Sequence, residues 1–169
     1  VFALTNASTD YVEVFRYQFG SWVSEYSVSI PAGFSIFYGL DISADGNTVA
    51  LAQPSLNSTI IFQRTGGIWA IQQVLNNHYD CAVSFSADGN TLAVSSLIDL
   101  NPPPGTGLVN IWTRIGNLWT LKTQLQDKTT YPGEFSQAID VALIASGAML
   151  FTANYGDPTL GTPLIRIFR

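Results

Sequence analysis

The six residues Ser-Ala-Asp-Gly-Asn-Thr occur twice, at 43–48 and 86–91, and each time they run into a short apolar stretch, Val49-Ala50-Leu51-Ala52 and Leu92-Ala93-Val94-Ser95. A chain with such a repeat is constrained to build the same supersecondary unit more than once. Asp-Gly between two apolar runs favours a tight hairpin, because Gly accepts positive φ and Asp can hydrogen-bond its own backbone. Ser146-Gly147-Ala148 before Met149-Leu150-Phe151-Thr152 is a weaker third copy.

Two further landmarks follow in fixed order. Strand-like runs end on an aromatic residue and a polar or cationic one, at Val12–Arg16, Ile60–Gln63, Val109–Thr113 and Ile165–Arg169. Seven residues after the first three of these aromatics stands a Trp: Phe15 to Trp22, Phe62 to Trp69, Trp112 to Trp119. The segments between carry Gly20, Gly66 and Gly116, so a hairpin closes in each. The fixed interval places Trp22, Trp69 and Trp119 at equivalent strand positions and predicts that all three are largely buried; Trp112 takes the place of Phe15, Phe62 and Phe168.

Each Trp opens an alternating segment, as in "WAIQQVL" and "WTLKTQL". That makes four strands per unit, with Trp spacings of 47 (69 minus 22) and 50 (119 minus 69). Four antiparallel strands repeating at about 40–50 residues mark a β-propeller blade. The expected fold is therefore all-β, a propeller-like array of four-stranded antiparallel blades. It forms one repeat domain over 1–169, with a partial blade at 1–28, whole blades at 34–75 and 80–125, and a partial blade at 135–169. That is about three and a half blades, which suggests a piece of a longer propeller, neighbouring copies that complete each other, or a four-bladed closure within one chain. A β-sandwich that reuses similar hairpins is the alternative, but it has no need of the seven-residue interval.

The order of Phe34 or Phe135, an apolar strand, Ser-Ala-Asp-Gly-Asn-Thr-Leu-Ala-Val, Val-x-Ile-Trp-Thr-Arg and Gly-x-x-Trp-x-x-x-x-Gln-Leu resembles FG-GAP-type repeats and is more distantly similar to WD-type repeats. The resemblance spans nearly the whole chain and implies the propeller fold rather than an activity. The family's Phe-Gly is Phe34-Ser35 and Phe135-Ser136 here, and its Gly-Ala-Pro survives only as Ala52-Gln53-Pro54. Some members hold calcium in acid-rich loops. The loops "QPSLNST", "LIDLNPPPGTG" and "NYGDPTLGTP" offer no more than one acid each, short of the roughly six to eight oxygens calcium takes, so no metal or other cofactor is expected. Asp99 and Asp157 read as loop-capping groups.

Composition narrows the function. Seven Lys and Arg against twelve Asp and Glu give a formal charge of -5, with no basic cluster to meet phosphates, which argues against a nucleic-acid partner. No uninterrupted apolar run approaches the roughly 20 residues that span a bilayer. Only 11% of residues are charged, and the single Cys81, read as a small core residue, has no internal disulfide partner. The chain opens at Val1 without a leader, as a processed product or a fragment would.

No catalytic constellation accompanies His78, the one histidine, and Asp41 and Asp140, on expected inner strands near the axis, lack a partner base, nucleophile or metal. The sequons Asn6-Ala7-Ser8 and Asn57-Ser58-Thr59 fall between the second and third strands of successive blades, making Asn6 and Asn57 candidate glycosylation sites. The expected function is a non-catalytic, extracellular or cell-surface, structural or adhesive module that associates with other copies through its terminal blades, into a fibre or a larger propeller. A lectin-like module binding glycans or surface proteins through the variable loops 97–107 and 155–163 is the alternative, and a hydrolase or lyase the third reading.

Overall fold

The computed structural model describes residues 2–6, 11–29, 39–53, 56–76, 80–97, 107–126, 138–144, 150–154 and 164–168. His78, Asp99, Asp157, Phe34, Phe135 and the turn at 146–148 lie outside them, as do the side chains of Asn6, Cys81 and Asp140. Fourteen strands are described. β1 (Phe2–Asn6), β2 (Tyr11–Gln18) and β3 (Ser21–Ser29) form the first sheet. β4 (Gly39–Ile42), β5 (Thr48–Gln53), β6 (Ser58–Thr65) and β7 (Ile68–Asn76) form the second. β8 (Asp80–Phe85), β9 (Thr91–Leu97), β10 (Gly107–Ile115) and β11 (Leu118–Gln126) form the third. β12 (Ala138–Leu143), β13 (Leu150–Asn154) and β14 (Leu164–Phe168) form the fourth. Every sheet is an antiparallel meander in sequence order.

The turn that joins the first two strands of a unit is longer than the tight hairpin that Asp-Gly suggests, and a serine hydroxyl closes it. Ser43 Oγ donates to Asp45 at 2.6 Å and accepts the Thr48 N–H at 3.0 Å, while the Ser43 N–H reaches the Thr48 carbonyl at 2.9 Å. Ser86, Asp88 and Thr91 repeat these contacts at 2.6, 3.0 and 2.9 Å. Gly46 and Gly89 take φ of 67° and 66°, and Asp45 and Asp88 each accept the N–H two residues on at 3.0 Å. Gly89 has a second constraint, since a Cβ there would lie 3.3 Å from the Ser43 Cβ of the neighbouring sheet's turn.

The outer hairpins explain the seven-residue interval. Phe62 pairs across β6–β7 with Ile71 and Arg64 with Trp69, so aromatic, cation and Trp share one face. The same register relates Phe15, Tyr17 and Trp22, and Trp112, Arg114 and Trp119. In each hairpin the register shifts by one residue just before the aromatic, leaving Glu25, Gln72 and Lys122 as the extra residue of a bulge.

The sheets stack through faces of unequal size. One face of the second sheet presents Val49, Leu51, Ile60, Phe62 and Trp69 to Val12, Val14 and Tyr26 of the first. Its other face presents the smaller Ala50, Ala52 and Ile61, with Leu75, to Val83, Phe85, Leu92, Val94, Trp112 and Trp119 of the third. The third sheet then offers Ala82, Ala93 and Val109 to Val141 and Leu150 of the fourth. The alanines of the second and third sheets thus make room for the bulkier faces that follow them, and the innermost strands β1, β4, β8 and β12 are successive neighbours.

The turn chemistry carries a measurable cost. Replacing Ser43 by Ala leaves the buried Thr48 N–H without its acceptor and is expected to cost about 1–3 kcal/mol in chemical denaturation. Gly66→Ala, at φ 59° with open space around it, is expected to lose about 1–2 kcal/mol from backbone strain alone. Gly89→Ala is expected to lose more, because the Ser43 turn must also shift.

Candidate functional site

The contacts between sheets repeat as a motif of two elements. Where the third sheet meets the second, Gln73 makes a two-way bond to the backbone of Trp119: its amide donates to the Trp119 carbonyl at 2.9 Å, and its oxygen accepts the Trp119 N–H at 2.9 Å. The bulge residue Gln72 accepts from the Trp119 indole at 3.3 Å and donates to the Asn117 carbonyl at 2.9 Å. Arg114 lies 5.7 Å above the Trp119 ring and donates to Thr48 of the second sheet at 3.3 Å. Where the second sheet meets the first, Tyr26 stacks on Trp69 at 5.9 Å, and the bulge residue Glu25 pairs with Arg16 and with Arg64 of the next sheet.

A second motif runs along the innermost strands. Asp41 accepts the Ile42 N–H at 2.8 Å and, across the interface, the Phe85 N–H at 2.7 Å. Ser84, which holds the same register position in the third sheet, accepts the Leu143 N–H of the fourth at 3.1 Å. Both carboxylate oxygens of Asp41 are therefore engaged, one within its own strand and one in joining β4 to β8. Asp140 occupies a different level of its strand, paired with Ala153 as Ala82 is with Ser95. Among the described residues no group of three His, Cys, Asp or Glu gathers to hold a metal, and no helix is long and apolar enough to cross a membrane.

The expectation of three buried tryptophans needs correction. Trp69 and Trp119 are 5% and 1% exposed, but Trp22 is 51% exposed. The register is equivalent in all three; the difference is that Trp69 and Trp119 face the preceding sheet, whereas among the described residues no sheet precedes the first. Trp22 is covered in part by Tyr17, at 5.4 Å in an edge-on arrangement, and Tyr17 stands where Arg64 and Arg114 stand in the next two sheets. Phe62 and Trp112 are buried as the repeat requires, and Phe15 is half-buried.

The same hairpin departs from the repeat once more at its tip. Phe19 and Gly20 take φ of 51° and 86°, as Gly66 and Gly67 do at 59° and 87°. Two consecutive positive φ values mark a type I′ turn, which suits Asn or Gly at its first position and penalises a bulky side chain there. Phe19 is nevertheless fully exposed. Ile68, Ile115 and Leu118, at the corresponding ends of the next two hairpins, are also well exposed, and the Gln72 side chain, at the bulge of β7, holds the tip of the β10–β11 hairpin through the Asn117 carbonyl. Sequence reasoning scored the regular aromatics as packing residues and missed this row; its signal was Phe in Phe19-Gly20, where the repeat has Gly66-Gly67 and Gly116-Asn117.

On the opposite rim, Asn57 sits exposed in the turn between β5 and β6, at φ 51°, while Ser58 and Thr59 of its sequon are buried at the start of β6. Asn6 ends β1, at the corresponding connection of the first sheet.

No family model and no curated protein matches the sequence. Among solved structures, a protein from Lactobacillus plantarum is similar at 17% identity and TM-score 0.63, over 99% of this chain and 55% of that one. A chain in the crystal structure of the mitotic checkpoint complex is similar at 12% identity and TM-score 0.63, over 95% of this chain and 44% of the other. The chain spans about half the length of both. With the four antiparallel sheets these likenesses make the fold all-β and propeller-like, each sheet a blade.

Two outcomes are expected. Trp119→Ala should lower stability by about 3–5 kcal/mol, as loss of a buried aromatic does, whereas Trp22→Ala should change the unfolding midpoint by a small fraction of that. The acids should pull stability in opposite directions. Burial pushes the Asp41 carboxyl above its ordinary 3.8, with the Phe85 and Ile42 N–H groups opposing, so Asp41 favours folding when protonated and its contribution is lost as pH rises above that value. Burial also works against charge on Asp45, but the Ser43 hydroxyl, the Asn47 N–H and Arg114 hold it below 3.8; the Ser86 hydroxyl and the Asn90 N–H do the same for Asp88. Those two contributions are present above 3.8 and lost as pH falls through the lowered values. Against wild type, Asp41→Asn should therefore gain in relative stability as pH rises from 3.8, and Asp88→Asn should lose.

Proposed function

We propose that the chain is a non-catalytic propeller module of the FG-GAP type, structural or adhesive, which works at or outside the cell surface by associating with further copies of itself. One observation carries this reading: the ends of three outer hairpins expose Phe19, Ile68, Ile115 and Leu118 on one rim, the last three in blades that another blade precedes. Large apolar side chains that stay exposed where the blade faces are covered suit a binding surface. The engagement of both Asp41 oxygens by backbone N–H groups, one of them on the next sheet, supports a scaffold reading of the inner strands over a catalytic one. Asn6 and Asn57, on one rim, are proposed as glycan acceptors on a secreted product, and that rim is opposite the hairpin ends.

A second reading is favoured by the neighbours of Trp22. Glu13 and Ser24 share its face by register, where the second blade has Ile60 and Ile71. An aromatic plane flanked by a carboxylate and a hydroxyl suits the two sides of a sugar ring, one carbon-bound and one hydroxylated. Light scattering and mass photometry over a concentration series separate the two readings when combined with a glycan array. Concentration-dependent association without glycan binding is expected. A chain that remains monomeric at high concentration and binds a defined glycan through Trp22 would replace the first reading with the second.

A further inference from the structure

Phe19 is costly where it stands. A left-handed backbone costs an L-residue with a bulky side chain on the order of 1–2 kcal/mol, and the same position is Gly66 and Gly116 in the next two hairpins, at φ 59° and 62°. Packing within the chain returns nothing, because the ring is fully exposed. A residue that is strained, apolar and exposed is the kind of outlier that points to a binding role.

The complementary surface is on the same rim. The β2–β3, β6–β7 and β10–β11 hairpins are equivalent by register, so their ends project in the same direction. The second and third ends present Ile68, Ile115 and Leu118, 74%, 75% and 58% exposed. Ile115 and Leu118 face each other across β10–β11, and the Gln72 side chain holds the Asn117 carbonyl of the turn between them, so this end is fixed in place.

We infer that Phe19 is the anchor of a reciprocal rim-to-rim contact between two copies, in which the ring of each copy seats on Ile68, Ile115 and Leu118 of the other. The inference rests on the self-association reading and gives it a surface and a stoichiometry. Because anchor and seat lie on one rim of one chain, a two-fold axis lying between the facing rims satisfies both at once, so the contact closes as a dimer instead of propagating. The four side chains offer on the order of 600 Å² per copy, and burying them reciprocally covers about 1,200 Å², the lower limit for a specific interface. Such a contact is expected to be reversible, with a dissociation constant of about micromolar. The sequons lie on the opposite rim, so glycans there would not obstruct it.

The test uses opposite effects of one substitution. Phe19→Asn installs the dipeptide that a type I′ turn favours, so it should raise the melting temperature of the chain by about 2–4 °C while weakening the dimer at least tenfold. Phe19→Ala keeps the strained backbone and should weaken the dimer without that thermal gain. Ile115→Ser with Leu118→Ser should weaken it from the other side, and Leu56→Ser, at an exposed site in a β5–β6 turn on the opposite rim, should leave it unchanged. Sedimentation equilibrium of the wild-type chain should give a mass twice the 18.3 kDa of one copy. A wild type that forms an open ladder, or a dimer that Phe19→Asn does not weaken, overturns the inference and leaves self-association standing. A wild type that is monomeric at about 100 µM, well above the expected constant, overturns both.

Discussion

Stacking of a bulky sheet face on a small one is the constraint from which the rest of this molecule follows. The leading face of the third sheet, built from Phe85, Leu92, Val94, Trp112 and Trp119, fills against Ala50, Ala52 and Ile61 of the second, and Val141 and Leu150 of the fourth fill against Ala82, Ala93 and Val109 of the third. Alternation along each strand sends the two sets to opposite faces, so every blade is at once a plug and a socket. That polarity makes the array directional. It also makes it additive, since each blade in the described chain touches mainly its neighbours.

Hydrogen bonding fixes the distance and the angle that apolar packing leaves loose. Gln73 satisfies the Trp119 backbone as another strand would, and Asp41 and Ser84 do the same for the N–H groups of Phe85 and Leu143. Strand edges that would otherwise invite unrelated pairing are in this way occupied by side chains of the preceding blade. The bulges have a matching use. An extra residue in β3 and β7 turns Glu25 and Gln72 toward the next blade, where they meet Arg64 and Trp119.

Much of this was legible in the sequence because it is periodic. The repeated Ser-Ala-Asp-Gly-Asn-Thr and the aromatic-to-Trp interval are enough to give four strands per unit, their order and the equivalence of Trp22, Trp69 and Trp119. Burial was not legible in the same way. It depends on whether a neighbour is present on one side, and a strand pattern reads identically in a covered and an uncovered blade; Trp22 is the result. The serine that closes each turn stands in the repeated hexapeptide, but its role was not legible there, since hydroxyl geometry leaves no periodic trace. The bulges were hidden for a related reason: Glu25, Gln72 and Lys122 differ in chemistry while sharing a position.

Departures from the repeat carry information that the repeat does not. Between the second and third blades the outer hairpin keeps Arg64 and Arg114, Gly66 and Gly116, Trp69 and Trp119; in the first it has Tyr17, Phe19 and Trp22. Loss of the cation removes the group that in the later blades reaches back to Glu25 or Thr48, and Tyr17 packs edge-on against Trp22 in its place. Gain of Phe19 adds strain and exposed apolar surface to a turn that Gly or Asn would close more stably. The second change runs against folding stability and does not improve packing within the chain. Sequence positions that break a local rule without return to the fold are where binding is most economically sought, and here they converge on one hairpin.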